Sequence, residues 1–471
     1  MITFKTLAER LRRSLKPVTE FSPPAAGLYH YQREQGQEKA RIHLRIETDG
    51  AGLLLVNASR AYHLNATAAH LAYLCLESAS EAEIIRSLQN QYRVTESQAK
   101  QDIVGFHKTL EEIIRPDGAC PVCDLQLETT APFSDRPSAP YRMDLALTYR
   151  CNNDCSHCYN AMPRPRPELM TEEWKRILDR LWENRIPHIV FTGGEPTLRP
   201  DLVELIAHAQ KNGQITGMNT NGRRLRDEAY LKTLVEAGLD HVQITLESHD
   251  PHIHDLMVQR QGAWEDTVAG IQNALKTRLF VMTNTTLLAH NASPQNLEKT
   301  LDFLAGLGVP TLGLNALIYS GNGLNVNSGI PESELPPLLN LARYSTEQHG
   351  QRLIWYTPTQ YCHFDPIQLE LGVKGCTAAL YNMCVEPDGS VIPCQSYYEP
   401  LGNLLNDPWL AIWEHDLAIS LRERKNLPAG CYACALLPEC GGGCPLARMA
   451  NQACVPQPIS PFQFEALEKR R

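Results

Sequence analysis

Three cysteines within eight residues constrain this chain more than any other feature of its sequence. Cys151, Cys155 and Cys158 stand at the spacing C-x3-C-x2-C, directly after the apolar segment 143–148. A loop this short can direct three thiolates at one small object, but it supplies no fourth ligand. A closed structural zinc site needs a full set of protein ligands, whereas an iron–sulfur cube held by three cysteines leaves one iron open. The loop therefore predicts an open iron–sulfur cluster, with half of a zinc site as the alternative.

A glycine-rich turn further along the chain decides between these alternatives. The apolar segment 189–191 runs into Thr192-Gly193-Gly194-Glu195-Pro196. Glycines let backbone approach a ligand closely, and a carboxylate at that point can accept an ammonium group. The cysteine loop and this turn together resemble the signature of the radical S-adenosylmethionine (radical SAM) enzymes, in which the open iron chelates the methionine part of SAM and the G-G-E-P segment binds its amino group. The resemblance implies a cluster on the three cysteines and SAM contacts from Gly193, Gly194 and Glu195.

The region 141–356 alternates short apolar strands with amphipathic helices. Repeated βα units imply parallel strands with right-handed crossovers. Six such units match the partial (β/α)6 TIM barrel of the radical SAM family, with the site at the carboxyl ends of the strands. The predicted strands are 144–148, 188–191, 216–219, 241–245, 280–286 and 312–318, and the predicted helices include 171–185, 200–212, 227–237 and 263–276.

Polar residues end the third and fourth predicted strands. In the radical SAM family these positions contact the ribose or the methionine carboxylate of SAM, so the resemblance implies Asn219, Thr245 and Glu247 as SAM contacts. The alternative is that they only begin solvated loops. Many relatives carry an arginine shortly after a pair like His254-Asp255, and this chain departs from that pattern, which leaves the carboxylate contact open. The histidines at 249, 252 and 254 look like a metal triplet, but we expect them in a solvated loop.

The region 39–115 predicts small strands followed by three helices, a winged-helix-like unit. Segments 41–47 and 52–56 alternate around Asp49-Gly50 and predict a hairpin, and 61–65 predicts a further strand. V-N-x-S before that strand and L-N-x-T-A after it resemble the PqqD-like domain, or RiPP recognition element, which captures the leader of a precursor peptide by strand addition. A domain that only packs on the barrel is the alternative; the third helix has too little positive charge to favour DNA binding. The expected helix caps are Thr67, Ser80 with Glu83, and Thr95 with Gln98.

Seven further cysteines follow the barrel at spacings typical of clusters. The pattern C-x12-G-x4-C, then C-x2-C-x5-C-x3-C, then a final cysteine resembles the SPASM domain, which binds two auxiliary 4Fe-4S clusters. A zinc ribbon is the alternative. Within the first part of this pattern, residues 386–389 predict a turn between the strand-like segments 381–385 and 390–393. The fourth ligand of the first cluster is left open between Cys384, Cys362 and an open iron, and Cys120 and Cys123 are assigned no role. The resemblance implies Cys376, Cys394 and Cys444 for the first cluster and Cys431, Cys434, Cys440 and Cys454 for the second.

Composition limits the partners and the compartment. A formal net charge of −9 over 471 residues argues against general nucleic-acid binding. No apolar run approaches the length of a membrane span, and the amino terminus lacks the apolar core of a signal peptide. Because the cysteine spacings are of metal type, we expect a cytoplasmic protein with neither a membrane nor a nucleic-acid partner.

These patterns predict an α/β protein of five segments. They are an amino-terminal helix and lead-in (1–38), a PqqD-like domain (39–116), a linker (117–140), a radical SAM core (141–356) and a SPASM domain (357–471).

The resemblance implies an enzyme that uses SAM, a SAM-binding 4Fe-4S cluster and two auxiliary clusters. It would cleave SAM reductively to a 5′-deoxyadenosyl radical and crosslink, dehydrogenate or form a thioether in a ribosomally made peptide or protein. A flavodoxin or ferredoxin is the expected electron donor. The alternatives are the same chemistry on a tetrapyrrole, a protein maturase of the sulfatase-activating kind, and a zinc-stabilised scaffold without redox chemistry.

Overall fold

The computed structural model of the chain describes residues 24–35, 38–57, 60–114, 137–161 and 167–450. The chain divides into two compact units, Met1–Thr129 and Thr130–Arg471. Cys120, Cys123, Cys454 and the predicted amino-terminal helix lie outside the described residues, so the expectations for them stay predictions. Within the described ranges, no helix is both long enough and apolar enough to cross a lipid bilayer.

The first unit is an antiparallel sheet followed by three helices. The strands hydrogen-bond in the order of the sequence, which confirms the hairpin around Asp49-Gly50. One buried core, which includes Leu44, Leu54 and Leu110, joins the sheet to the helices. The strands are β1 (Gly27–Gln35), β2 (Glu38–Ile46), β3 (Gly52–Val56) and β4 (Arg60–Leu64), and the helices are α1 (Ala66–Leu76), α2 (Glu81–Gln91) and α3 (Glu96–Ile113).

Strand β1 was not predicted. It pairs with β2 along its whole length, from Gly27 opposite Ile46 to Gln35 opposite Glu38. The local pattern is weak because this segment has few aliphatic residues. Its position depends on distant partners instead, such as the Tyr73 ring, whose centroid lies 4.9 Å from that of Tyr29. Strand formation that depends on tertiary neighbours is poorly visible in local sequence.

The caps explain where the three helices begin. Asn65 caps α1, because its side chain accepts the backbone N–H of Ala68. The prediction of Thr67 was wrong: Asn65 is an equally good cap and stands directly before the helix. The other two caps are confirmed, Ser80 with its Glu83 capping box and Thr95.

The second unit contains a ten-stranded sheet whose parallel part forms the barrel. Six parallel strands lie side by side in sequence order, as predicted, and a seventh, β11, adds beyond β10. The predicted segment 312–318 ends earlier, at Asn315. The strands are β5 (Arg142–Thr148), β6 (His188–Gly193), β7 (Ile215–Thr220), β8 (His241–Thr245), β9 (Phe280–Thr286), β10 (Thr311–Asn315) and β11 (Arg352–Trp355).

The helices of the barrel follow these strands in alternation. The four predicted helices are confirmed, each within two residues at either end. The helices are α4 (Thr171–Glu183), α5 (Leu202–Asn212), α6 (Glu228–Ala237), α7 (Pro251–Val258), α8 (Ala263–Leu275), α9 (Pro294–Gly306) and α10 (Pro336–Gln348).

The cysteine-rich end of the chain joins the same sheet. Its predicted hairpin turns at Gly389 and is confirmed, and its first strand, β12, pairs in parallel with β5. The sequence did not predict this pairing, because the two strands are far apart along the chain. The strands are β12 (Asn382–Val385), β13 (Ser390–Ile392) and β14 (Gly402–Asn403), and the helices are α11 (Trp409–Trp413), α12 (Asp416–Arg422), α13 (Ala429–Tyr432), α14 (Leu437–Cys440) and α15 (Pro445–Ala450).

Strand β5 separates an apolar layer from a polar one. Met143, Leu145 and Leu147 pack in the large core with the helices, whereas Ala146 belongs to a separate small cluster with residues of the β12–β13 hairpin. Asp144 alternates with the apolar residues and is fully buried. Because successive side chains of a strand point to opposite faces, the inner face of β5 carries polar groups toward the end at which the cysteine loop begins.

Replacing Leu178 by alanine tests the core of the barrel. Leu178 lies on α4 and is 0% exposed, so we expect the free energy of unfolding to fall by about 2–5 kcal/mol. Leu410→Ala deletes the same atoms at a residue that is 62% exposed, and we expect it to cost less than about 0.5 kcal/mol. Urea denaturation followed by tryptophan fluorescence compares the variants. Equal losses would contradict this description of the core.

Candidate active site

The three cysteine thiols of the loop after β5 lie close enough together that the Cys158 thiol raises the pKa of the other two. Burial and the neighbouring thiols of Cys158 and Cys151 hold the pKa of Cys155 well above its usual range. The residue Cys151 is exposed, yet its sulfur lies deep enough that desolvation raises its pKa to about 11. Three soft thiol donors suit an iron–sulfur cluster, whose positive irons would favour the thiolates that burial disfavours.

No three His, Cys, Asp or Glu side chains in the described part of the chain are grouped closely enough to hold one metal ion. The three cysteines are therefore proposed as cluster ligands because of their thiol chemistry and their electrostatic effect on one another.

Backbone contacts hold the cysteine loop from two sides. The N–H groups of Asp154 and Ser156 donate to the carbonyls of Val258 and Met257, at 3.0 and 3.1 Å, at the end of α7. On the other side, the Asn322 N–H donates to the Cys158 carbonyl at 2.9 Å. The loop is thus fixed by elements that are distant in sequence.

The glycine turn after β6 packs directly on the start of the cysteine loop. The N–H groups of Gly194 and Glu195 donate to the carbonyls of Thr148 and Arg150, at 2.7 and 2.9 Å. Gly193 has a φ of +129°, and a Cβ there would lie 2.2 Å from the Thr148 carbonyl oxygen. The glycines are therefore required for close approach to the loop, which sequence reasoning had attributed to the ligand alone.

The Glu195 carboxylate holds two strand ends together. It is fully buried; one oxygen accepts the Thr197 N–H and the hydroxyls of Thr197 and Thr220, and the other accepts the Asn221 N–H at 2.8 Å. Burial raises its pKa, against the effect of these hydrogen bonds. Both oxygens accept hydrogen bonds from protein groups, so the carboxylate positions β6 against β7. Its contact with the SAM ammonium group stays a prediction.

The Glu247 carboxylate plays a similar part after β8. It is 1% exposed, contacts the His157 ring at 3.0 Å and accepts the Thr286 N–H at 2.8 Å. Since His157 lies within the cysteine loop, this contact ties the loop to β8 and β9. The carboxylate lies at the predicted place, with protein groups on both of its oxygens.

His254 corrects another expectation. It lies on α7, is buried, and its Nδ1 accepts the Glu247 N–H at 3.1 Å. The predicted solvated loop was wrong because Asp250 caps a helix that begins at Pro251, a favourable first helical residue. The Asp-Pro pair was the signal that could have revealed this helix.

Asn219 and Thr245 lie at the carboxyl ends of β7 and β8 and are half-buried, and their contacts to SAM stay predictions. Sequence reasoning missed Asn221. Its side-chain N–H donates to the side-chain oxygen of Asn152 at 2.6 Å, and the same nitrogen lies 4.0 Å from the Cys151 sulfur. The signal that could have revealed it is the two-residue spacing from Asn219, since the period of a strand that ends at Thr220 places the two asparagines on one side.

The cysteines of the carboxyl-terminal region fall into two groups. Burial, with the Cys444 and Cys394 thiols nearby, raises the pKa of Cys376 to about 12, and burial with Cys444 nearby also raises that of Cys394 to about 12. Cys434 acts on the pKa of both Cys431 and Cys440 in the same direction, although burial contributes most. The assignment of these cysteines to two clusters stays a prediction.

The candidates for a fourth ligand of the first group differ. Cys384 is buried on β12 beside Ala146 and Ile392, in keeping with its expected burial as a small apolar residue. Cys362 takes part in a disulfide, and every other described cysteine is free. The ligand set of the first group stays a prediction.

Hydrogen bonds connect the cysteine loop to the first carboxyl-terminal group. The Tyr159 hydroxyl donates to the Gln395 side-chain carbonyl at 2.6 Å, and the Gln395 amide donates to Asp144 at 2.6 Å. Tyr159 follows Cys158, and Gln395 follows Cys394. A short polar path therefore joins the two groups of thiols along the inner face of β5.

Three family models match the chain in separate regions. The radical SAM superfamily model matches residues 145–304, the SPASM iron–sulfur cluster-binding domain matches 376–435, and the coenzyme PQQ synthesis protein D (PqqD) model matches 52–113. The AdoMet-dependent heme synthase of Methanosarcina barkeri is 26% identical over 325 residues, which cover 65% of this chain and 91% of that protein.

Two solved structures share the fold. SuiB of Streptococcus suis, bound to its precursor peptide SuiA, has a TM-score of 0.66 and 16% identity and covers 90% of this chain and 98% of its own. The enzyme anSMEcpe with bound AdoMet has a TM-score of 0.54 and 18% identity, covering 70% of this chain and 95% of its own. At these identities the likeness concerns the fold.

Gly193→Ala tests the contact between the turn and the loop. The new Cβ would displace the Thr148 carbonyl and strain the backbone by about 1–3 kcal/mol, so we expect SAM affinity to fall roughly tenfold or more. Gly306→Ala is the control, since a Cβ there meets nothing within 4 Å. Calorimetric titration with SAM and iron content per chain compare the two. Unchanged affinity in Gly193→Ala would refute the role of the contact.

The matched domains and the fold agree with the site. The amino-terminal unit carries the PqqD match, the barrel the radical SAM match and the β12–β13 hairpin the SPASM match. Radical SAM and SPASM domains imply 4Fe-4S clusters and SAM as cofactors. The chain therefore contains a radical SAM domain, with a PqqD domain before it and a SPASM domain after it.

Proposed function

We propose that this enzyme oxidatively modifies a ribosomally made peptide or protein held by its amino-terminal unit. The observation that carries the proposal is the PqqD match of residues 52–113 on the same chain as a radical SAM core. The fold of SuiB, whose structure contains a precursor peptide, matches 90% of this chain and supports a peptide substrate.

The residues of the cysteine loop hold the reactive groups in place. Cys151, Cys155 and Cys158 would hold the SAM-binding cluster. With SAM bound and one electron from an external donor, that cluster would supply the 5′-deoxyadenosyl radical for hydrogen abstraction and release methionine. Gly193, Gly194 and Glu195 keep the adjoining turn against the loop.

The inner face of β5 supplies polar groups beside this site. Asp144 is 0% exposed and binds the Arg142 guanidinium at 2.9 Å and the Gln395 amide at 2.6 Å. Its charge is thereby satisfied in a buried place, as stability requires. A substrate group bound there would lie between the cysteine loop and the Cys394 segment.

The second group of thiols favours an oxidative outcome. Gln395, which binds the Tyr159 hydroxyl, directly follows Cys394. A cluster on Cys376, Cys394 and Cys444 would be able to accept an electron from the modified substrate. Crosslinking, thioether formation and dehydrogenation all release such an electron. Burial and hydrogen bonds to sulfur set the potential of such clusters.

The peptide would be captured at the edge of the first sheet. Strand β4 lies at one end of the strand order, and alternate residues Ala61 and His63 are exposed. The Arg60 guanidinium donates to the Ile113 carbonyl at 2.9 Å, which places the end of α3 beside β4. An extended peptide can add to such an edge and gain backbone hydrogen bonds.

A tetrapyrrole substrate is the second candidate. The similarity to the heme synthase of Methanosarcina barkeri, at 26% identity over 91% of that protein, favours it. Titration with an iron porphyrin, followed by Soret absorbance, separates the candidates. If the Soret band shifts saturably and no peptide binds, the substrate is a tetrapyrrole rather than a peptide.

Cys155→Ala tests the radical chemistry. We expect no 5′-deoxyadenosine above background from anaerobically reconstituted enzyme with SAM and dithionite, because one of three cluster ligands is lost. Cys75→Ala removes a thiol from the core of the first unit and should retain 5′-deoxyadenosine formation. Liquid chromatography measures the product. If the wild-type protein contains zinc but no iron and forms no 5′-deoxyadenosine, the proposed radical chemistry is wrong and the protein is a zinc-stabilised scaffold.

Hydrogen exchange tests peptide capture. Peptides encoded by short reading frames beside the gene serve as probes, and a bound peptide should slow amide exchange in β4 (Arg60–Leu64) at least about tenfold, because an added strand protects outward-facing amides. Strand β3 already lies between β2 and β4 and is the internal control. Protection at β1 instead would move the site to the other edge. Binding with no protection in either edge strand would contradict strand addition.

A further inference from the structure

We propose that the surface around Asn152 is the docking face for a small acidic electron-transfer protein of the flavodoxin or ferredoxin type. This inference rests on the proposed radical SAM chemistry, which needs an electron from outside the enzyme. The donor loses one electron and the enzyme gains it, and no bond forms or breaks at the surface.

The face consists of five arginines gathered around the cysteine loop, which we call the arginine face. Two of them, Arg223 and Arg260, donate to the Asn152 backbone carbonyl, at 2.8 and 3.1 Å. Arg150 directly precedes Cys151 and is 63% exposed. The members of the arginine face are Arg150, Arg223, Arg224, Arg226 and Arg260.

The arginines are incompletely neutralised. Arg223 and Arg226 share one carboxylate, Asp266, and Glu168 binds Arg199 as well as Arg150. Among the described residues, Arg224 and Arg260 form no ion pair. Two more carboxylates lie nearby: Asp154 is exposed, and Asp227 caps α6 by accepting two backbone N–H groups.

A cavity of about 230 Å³ opens in the arginine face. Three arginines and two carboxylates line it, so its lining carries one more positive than negative group. The lining residues are Asn152, Leu198, Arg223, Arg224, Arg226, Asp227 and Asp266. The Arg224 guanidinium donates to the Thr197 carbonyl and lies 3.9 Å from the centroid of the Tyr230 ring, so it is held in place rather than free in solvent. Pre-ordered guanidiniums are well suited to carboxylates of a partner.

Position and charge both favour an electron donor. Arg223 and Arg260 bind the Asn152 carbonyl within the cysteine loop, and Asp154 of the loop is exposed, so a partner on this face approaches the loop closely. The chain as a whole carries a formal charge of −9, so its net charge does not attract an acidic protein. A local positive face on such a chain orients an acidic partner and accelerates its association.

Charge reversal tests the face. The variant R224E/R226E should weaken binding of oxidised flavodoxin at low salt at least about tenfold, measured by calorimetry, and lower flavodoxin-driven formation of 5′-deoxyadenosine by a similar factor at subsaturating donor. Reduced ferredoxin provides a second arm. With dithionite, which needs no docking face, the variant should match wild type within about twofold, which also shows that it is folded.

The matched control is K211E/R278E. It changes the net charge equally, at two exposed cations that lie where α5 and α8 lead into β7 and β9, at the opposite ends of the strands. We expect wild-type donor binding in this control, and a steep loss of donor binding with salt in wild type but not in R224E/R226E.

The outcomes separate the two proposals. Equal donor affinities in the test and control variants, or no saturable binding of either donor to wild type, would overturn the docking face. Absence of 5′-deoxyadenosine with dithionite in wild type would instead overturn the radical chemistry on which the docking face depends.

Discussion

The site depends on one contact between two pieces of backbone. The glycine turn after β6 donates two N–H groups to carbonyls at the start of the cysteine loop, at 2.7 and 2.9 Å. A side chain at Gly193 or Gly194 would separate the two segments. β5 and β6 are neighbours in the sheet. The contact between their ends therefore fixes the position of the cysteine loop relative to the turn.

Buried carboxylates extend this contact to the neighbouring strands. Glu195 joins the ends of β6 and β7, Glu247 joins β8 and β9 to His157, and Asp144 joins β5 to the Cys394 segment. An unpaired buried charge is very costly. Each carboxylate is therefore stable only while its hydrogen-bond donors stay in place. These carboxylates act as positioning groups, and a shift of any one strand end would leave one of them unsatisfied.

Much of the architecture could be predicted from local patterns. The period of the apolar residues located six parallel strands and four helices of the barrel, and the turn at Gly389 located the hairpin of the SPASM region. What failed depended on distant partners. Strand β1 forms because β2 offers its edge, β12 joins the sheet because β5 has a free side, and His254 is buried because Glu247 offers an N–H.

The sequence by itself determined where the cysteines, the glycine turn and most helix caps lie, because their spacing is a local property of the chain. It identified the thiols, the glycine turn and the order of the domains. Only the tertiary structure decided what the charged groups do. Glu195 lies in the turn but is turned inward to Thr220 and Asn221, and the five arginines around Asn152 come from three separate segments. Side-chain direction and the gathering of distant residues depend on packing, which no local pattern contains.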